Sequence, residues 1–414
     1  MGSLREELGV LREALRRYDL LPAEDMDVSV LTAEGLAAVR PGVAGETRVD
    51  DLDPVRRAVY KSAPDARVVL GIATEPAREV ARLPGGLRCL AQSAAYFHGT
   101  VASVRAAGEA EEALQGLQPA IALAVRDEAK FYVIAASVGA AFVLAFYLHK
   151  ACCRQLLVGA QPTVEPEVSV WEHARSQVLS QDFGPGVEWP AVTAWISGDS
   201  AARAAAGESA VPEGEASVRK ILSEAHKDLN RRKLDELIWN HCSAKIPGEG
   251  GSGFLITAGD RLWSLMEPET LVRSSANCTA DILHSAVYDA VPSAGAVVHT
   301  HSLAIEAVSC LQAGLLEPPG SDFAGRVAYY DWEGVSDDWE ECKRVTAAIQ
   351  HVPNCTALIM KNHGAITFGA DVSEALSRHL ALDTACRDTL LAMSGGKPCS
   401  VLEALSRESA WLAA

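Results

Sequence analysis

Tyr288–Leu311 reads YDAVPSAGAVVHTHSLAIEAVSCL, and Tyr60–Leu83 reads YKSAPDARVVLGIATEPAREVARL. The two align without a gap at a shift of 228, with Pro64 on Pro292, and each runs from a helix end through a Pro turn into a hydrophobic strand and a further helix. A second block repeats at a shift of 234: Leu123–Phe142 (LAVRDEAKFYVIAASVGAAF) falls on Ala357–Leu376 (ALIMKNHGAITFGADVSEAL). Six extra residues between the blocks fit a longer loop in the second copy. A weaker match sets Leu15–Leu20 on Leu229–Leu234. Three blocks in one order predict a duplicated α/β unit.

The repeat settles an ambiguous stretch. Phe131–Leu148, FYVIAASVGAAFVLAFYL, carries no charge and lies at the lower length limit of a membrane span. It opens on β-favouring residues and continues Ala-rich, and its place in the repeat makes it a buried strand followed by a buried helix. No membrane span is expected. Ala201–Ser217, AARAAAGESAVPEGEAS, is small, polar and punctuated by Gly and Pro, as linkers are. The expected domains are 1–200 and 217–400, with a linker at 201–216 and a tail at 401–414.

Composition excludes several classes of protein. Of the 414 residues 49% are hydrophobic and 22% charged, which fits a globular chain. A formal net charge of −17 argues against a broad nucleic-acid surface, which needs clustered Lys and Arg. The ten cysteines lack the dense spacing of a secreted scaffold, so they are expected as reduced, mostly buried thiols in a cytoplasmic protein. Met1–Leu20 is charged throughout, unlike a signal peptide, and Glu6 stands where a myristoylation signal has Ser or Thr.

The chemistry concentrates in Val297-Val298-His299-Thr300-His301. Histidines at i and i+2 of a strand project to one side and offer two imidazoles to one ion. A third, His363, follows the hydrophobic run Ala357–Met360, and Gly364 permits a tight backbone beside it. Three imidazoles with an open position suit a divalent metal acting as a Lewis acid, Zn2+ first, with Fe2+ or Mn2+ as alternatives. The first copy has Gly71, Ala73 and Ala129 at these three places, so the histidines come and go as a set.

The motifs Asn240–Glu249 (NHCSAKIPGE), Phe254–Gly259 (FLITAG), His284–Tyr288 (HSAVY), Val297–Ser302 (VVHTHS), Arg326–Gly334 (RVAYYDWEG) and Lys361–Gly364 (KNHG) occur in the order of the class II aldolase/adducin family. The second half resembles the adducin-type branch of that family. The first resembles it faintly, Glu188-Trp189-Pro190-Ala191 being similar to the branch's tail. The resemblance implies tandem α/β/α domains with central sheets, a metal held by His299, His301 and His363, and self-association. It also implies a phosphate cradle and an acid four positions before the helix histidine. The chain departs from the family at both. Ala280 occupies the acid position, with Asp281 beside it, while Cys278-Thr279 and Asn240-His241 replace the cradle's Ser-Ser and Gly-Asn. Thr257, Gly259 and Thr279 could still meet an oxyanion through hydroxyl or backbone N–H, and His241 could touch substrate. Asp281 and His284, at i and i+3, share a helical face and are expected to pair. Tyr329, Tyr330 and Asp331 resemble pocket residues, and Asp281 and Tyr330 are the expected proton-transfer groups.

The sequence therefore predicts metal-assisted carbon–carbon lyase or related carbonyl chemistry on a small carbonyl or sugar-phosphate-like substrate. Two alternatives stand: an adducin-like scaffold for protein contacts, and a three-histidine non-haem iron oxygenase on the same fold. The final SVLEALSRESAWLAA has no Lys-rich run of the kind adducins use, which weighs against the scaffold.

Overall fold

A computed structural model describes residues 2–413 apart from 22–25, 33–34, 41–42, 48, 118, 181–183, 199–212, 249–252, 275–277 and 318–320. The chain divides into two compact units, Met1–Leu156 with Trp171–Ile196, and Leu157–Val170 with Ser197–Ala414. This departs from the expected boundaries: Leu157–Val170, placed in the first domain by sequence, belongs to the second unit. Residues 201–212 of the expected linker lie outside the described residues, and from Glu213 the chain is already helical. The expected tail is a helix as well.

In the first unit run α1 (Gly2–Arg17), β1 (Val28–Thr32), β2 (Gly35–Arg40), β3 (Val43–Thr47), α2 (Pro54–Ser62), β4 (Val68–Ile72) and α3 (Glu75–Arg82). There follow β5 (Val101–Val104), α4 (Ala110–Gly116), β6 (Ala122–Val125), β7 (Lys130–Ala135), α5 (Val138–Val158), α6 (Val168–Val178) and α7 (Pro185–Ser197). The second half contributes α8 (Glu213–Arg231), β8 (His241–Lys245), β9 (Phe254–Ile256), β10 (Val272–Arg273), α9 (Cys278–Ala290), β11 (Ala296–Thr300) and α10 (Leu303–Ser309). It closes with β12 (Val327–Tyr330), α11 (Trp339–Gln350), β13 (Ala357–Met360), β14 (Gly364–Gly369), α12 (Val372–Met393) and α13 (Ser400–Ala413).

Among the described residues the strands form two seven-stranded sheets of one topology, β3-β2-β1-β4-β7-β6-β5 and β10-β9-β8-β11-β14-β13-β12. Every pairing is antiparallel except β5 with β6 and β12 with β13. The shifts seen in sequence recur as local chemistry. Thr74 caps α3 and Ser302 caps α10, 228 positions on, each hydroxyl accepting from the backbone N–H three residues later. Ser137 and Asp371, 234 apart, do the same at the starts of α5 and α12. Leu20 N–H donates to Leu15 O, and Leu234 N–H to Leu229 O, each closing a helix through a residue at φ 55°, Asp19 or Lys233.

The second sheet is sandwiched. Val297, Ala328, Leu358, Ile366 and Phe368 pack against Leu283, Val287, Val345 and Ile349 of α9 and α11. The other face carries Cys242, Ala244, Leu255 and Val298 against Leu222, Ala225 and Leu229 of α8 and Ala375 of α12. Alternation along β11 therefore fixes which way His299 points: with Val297, toward α9. In the first unit α5 is the one described helix long and apolar enough to cross a membrane, and 89% of its most apolar stretch is buried within the protein. Glu188 of α7 lies buried beside it and accepts hydrogen bonds from Tyr147 and Tyr96. The cysteines with described side chains are free, most of them buried.

Candidate metal centre

His299, His301 and His363 come together at the end of β11 and the turn before β14, with candidate ligand atoms all within 4.8 Å of one another. All three are buried. The hydrogen bonds around two of them define their tautomers. His299 Nδ1 lies 3.0 Å from the carbonyl oxygen of Ala365, which can only accept, so Nδ1 carries the proton. His301 Nδ1 lies 2.8 Å from Glu236 Oε2, and the carboxylate fixes its proton in the same way. Both Nε2 atoms are thus left with lone pairs, and they face each other at 2.8 Å. Burial, reinforced by the surrounding imidazoles, holds His299 well below the ordinary histidine value. The buried Nδ1 of His363 has no hydrogen-bond partner among the described residues. Converging lone pairs, an orphaned imidazole nitrogen and a carboxylate behind one ring match what a divalent cation requires of its ligands.

The backbone around the three rings is tightly constrained. Asn240 accepts from His301 N–H through Oδ1 at 3.1 Å and donates through Nδ2 to Glu236 O at 3.0 Å, tying the carboxylate's segment to the end of β11. Behind the sheet His379 Nε2 meets the Thr300 hydroxyl at 2.8 Å and its Nδ1 meets Thr367 at 3.0 Å, while burial lowers its pKa to about 3. Gly364 has no room for a side chain: a Cβ would meet Thr300 O at 2.6 Å, His301 Cδ2 at 2.8 Å and His299 Cε1 at 3.3 Å.

His241 stands opposite His299 in the β8–β11 ladder, with ring centroids 4.5 Å apart. From it runs a chain of polar side chains: His241 Nδ1 to His284 Nε2 at 2.6 Å, His284 Nδ1 to Ser243 Oγ at 2.5 Å, and Ser243 Oγ to Tyr288 Oη at 2.8 Å. Burial lowers the pKa of His284 to about 3 and holds His241 well below the ordinary value, which favours the neutral form of each ring.

Other expected site residues fall differently. Both ring nitrogens of His284 are engaged, so the expected Asp281–His284 pair is replaced by the contacts with His241 and Ser243; Asp281 is buried on that same face of α9. Ala280 is packed in the core and offers no proton. Tyr330 is not brought to the histidines. Strands β13 and β14 lie between β12 and β11, and its hydroxyl contacts Glu333 at 2.7 Å and Arg344 at 3.3 Å. The Tyr329 hydroxyl accepts from Leu315 N–H, and Asp331 pairs with Lys361. Thr257 is structural: its hydroxyl lies 2.7 Å from His226 Nε2 and accepts from Cys242 N–H at 2.7 Å. Since His226 Nδ1 must donate to Leu222 O, Nε2 accepts from Thr257. Asn240 is likewise committed to backbone. Gly259 is exposed in a turn and Thr279 half-buried in the first turn of α9; the Cys278 side chain lies outside the described residues.

The corresponding place in the first unit is filled. Val28 pairs with Leu70 as Cys242 pairs with Val298, so Asp27 stands where His241 does, Gly71 where His299 does and Lys130 where Gly364 does. Lys130 Nζ lies 3.0 Å from Asp27 Oδ2, and buried Arg56 bridges Asp27 Oδ1 at 2.6 Å and Asp53 Oδ2 at 2.9 Å. A Cβ on Gly71 would strike Asp27 Oδ2 at 2.5 Å. The Ser243–Tyr288 contact persists as Ser29–Tyr60 at 2.9 Å.

Comparisons with known proteins bear on the second half of the chain. Residues 220–390 match the family model of the class II aldolase and adducin N-terminal domain. The second half of the chain belongs to the class II aldolase and adducin family. Rat (Rattus norvegicus) alpha-adducin is 32% identical over 212 residues, 47% of this chain; the chain spans only 28% of the adducin's length. A Pseudomonas aeruginosa protein assigned to aldolase class 2 is 29% identical over 203 residues, covering 46% of this chain and 76% of that one. A crystal structure of an aldolase II superfamily protein from Pseudomonas syringae shares 30% identity over 48% of this chain and 86% of its own, with a TM-score of 0.41.

Sequence reasoning missed Glu236. It lies in the irregular link between α8 and β8, next to Leu237 at φ 44°, a conformation rare outside glycine. The sequence carried no motif for it beyond a carboxylate shortly before Asn240-His241.

Proposed function

We propose that the second unit is a metal-dependent domain of the class II aldolase type, acting as a carbon–carbon lyase or on related carbonyl chemistry of a small hydroxy-carbonyl substrate. What carries this reading is the pair of bare Nε2 atoms of His299 and His301 facing each other at 2.8 Å beside the orphaned His363 nitrogen. His299, His301 and His363 would hold the ion, Zn2+ being the first choice for an all-imidazole set. When bound, such an ion polarises a carbonyl or hydroxyl oxygen and stabilises negative charge that develops there.

The chain's own groups do the rest. Glu236 orients His301 and raises its basicity. His241, with Nδ1 committed to His284, presents Nε2 as the atom that can exchange a proton with a substrate. It takes over from the acid that Ala280 cannot supply. Asp281, buried on the same helical face, is the second candidate. Of the cradle residues expected from sequence, Thr257 is already engaged, which leaves Gly259 and Thr279 among the described residues to meet a phosphate.

Metal analysis of the purified protein and of His301→Ala tests the reading. One equivalent of divalent metal in the parent and none in the variant is expected; full metal in the variant would overturn it. Aldol condensation assays with dihydroxyacetone phosphate plus short aldehydes, and with unphosphorylated hydroxy-ketones plus the same aldehydes, then test the chemistry. The similarity to alpha-adducin favours a second reading, an interaction scaffold, which predicts bound metal with no turnover of either substrate set.

A further inference from the structure

Asn362 occupies the left-handed region at φ 57°, directly before His363. Short polar side chains tolerate that conformation best after glycine. Its backbone N–H donates to Ser309 O at 3.1 Å, its neighbour Lys361 N–H donates to Tyr330 O at 2.8 Å, and His363 N–H donates to Met360 O at 3.1 Å. These bonds shape the turn from within the second half. One further bond comes from 198 residues away: Asn362 Nδ2 donates to Val164 O at 3.0 Å.

Val164 belongs to the short segment that the second unit takes from the first half of the sequence. Residues 161–165 lie along Cys310–Gln312 as an added antiparallel edge. Val164 N–H donates to Cys310 O at 2.8 Å, Thr163 forms a β-bridge with Leu311, and Gln312 N–H donates to Pro162 O at 3.0 Å. Gln312 Nε2 also donates to Thr163 O at 2.9 Å, and Gln161 Nε2 to Met393 O at 3.0 Å. The segment is thus anchored at several points before it reaches Asn362.

We infer that residues 161–165 are a strap that positions His363, acting through the side-chain amide of Asn362. The inference rests on the metal reading above, since positioning His363 matters most if that ring is a ligand. A turn in the left-handed conformation holds an imidazole within the tolerance of a metal site better when the buried amide beside it is anchored. On this account the three-histidine centre is completed by sequence lying outside the region that matches the family model.

The test uses the full-length protein and Zn2+ itself, titrated against a chelating indicator. Asn362→Gly keeps the left-handed backbone and removes the side-chain amide that makes the link, and Val164→Pro removes the N–H that ties the strap to Cys310 while leaving the Asn362 side chain in place. Each should weaken Zn2+ binding about tenfold, the double variant should be no weaker than the worse single one, and the melting temperature in excess chelator should fall much less than affinity does. If Val164→Pro fails to fold, Gln312→Ala loosens the strap more gently and should give a smaller loss of the same sign. Wild-type affinity in both single variants, with Zn2+ lost in His301→Ala, would overturn the strap while leaving the metal reading intact. Weakening by Asn362→Gly alone would also overturn it, because Asn362 would then act without the strap. Zn2+ retained in His301→Ala would remove both.

Discussion

Replacing Glu236 by Gln asks how much of the metal affinity comes from the carboxylate behind His301. The side chain is buried, with 1% exposure, and accepts from His301 Nδ1 at 2.8 Å. Gln is nearly isosteric and its carbonyl can still accept that hydrogen, so the ring stays oriented and only the charge is removed. A charge-assisted hydrogen bond contributes ~1.5–3 kcal/mol against ~1 for a neutral one. The difference of ~1–2 kcal/mol corresponds to a Zn2+ dissociation constant weakened about five- to thirtyfold. Glu236→Leu goes further, stranding a buried N–H at a cost of ~1–3 kcal/mol and freeing the ring to rotate, and should weaken binding by about 100-fold. Competition titrations against a chelator of known affinity measure both, with circular dichroism confirming the fold. Unchanged Zn2+ affinity in Glu236→Gln and only a modest loss in Glu236→Leu would refute the carboxylate–histidine–metal arrangement.

Gly364→Ala should cost ~1–3 kcal/mol, because the new methyl must displace Thr300 O or the rings of His301 and His299; the loss should appear mainly in Zn2+ affinity, and an Ala variant that binds normally would show that the site has slack. In α11, which packs on the same face of the sheet as α9, burial of Glu341 raises its pKa from 4.5 to about 7. A raised carboxyl keeps its proton in the folded state while the unfolded chain releases it, so stability contributed by this group is complete below pH 4.5 and falls as pH rises toward 7, by ~3 kcal/mol at most. Urea denaturation of Glu341→Gln beside the parent should show the gap between them changing across that window, and a constant gap would contradict the assignment.

The repeat was legible because each shift is anchored by chemistry local in sequence: a Pro turn, a capping hydroxyl, a strand of fixed length. The histidine set was legible for the same reason, since His299 and His301 share one strand and His363 sits at a glycine. Tyr330 was misplaced because its strand pairs in parallel with β13, and strand order is not written in any one segment. The pairing expected between Asp281 and His284 follows from helical spacing alone, yet Ser243 and His241 on a neighbouring strand supply closer partners. Thr257 looked available because His226, which engages it, lies 31 residues earlier on a helix. Glu236 meets His301 and Val164 meets Asn362 across long stretches of sequence, and no periodicity announces either contact.

Lys130 gives the two halves different relations to their surroundings. Its ammonium, paired with Asp27 in the place where the second unit gathers imidazoles, is a positive charge covalently attached to the chain. A bound ion, by contrast, adds stability in proportion to the logarithm of its free concentration over its dissociation constant, ~4 kcal/mol at a thousandfold excess. On the proposed reading the second unit is therefore coupled by mass action to the supply of ions, while the first carries a fixed charge at the corresponding place. A chelator pulse would lower one melting transition and leave the other where it stood, so the chain carries its own internal reference.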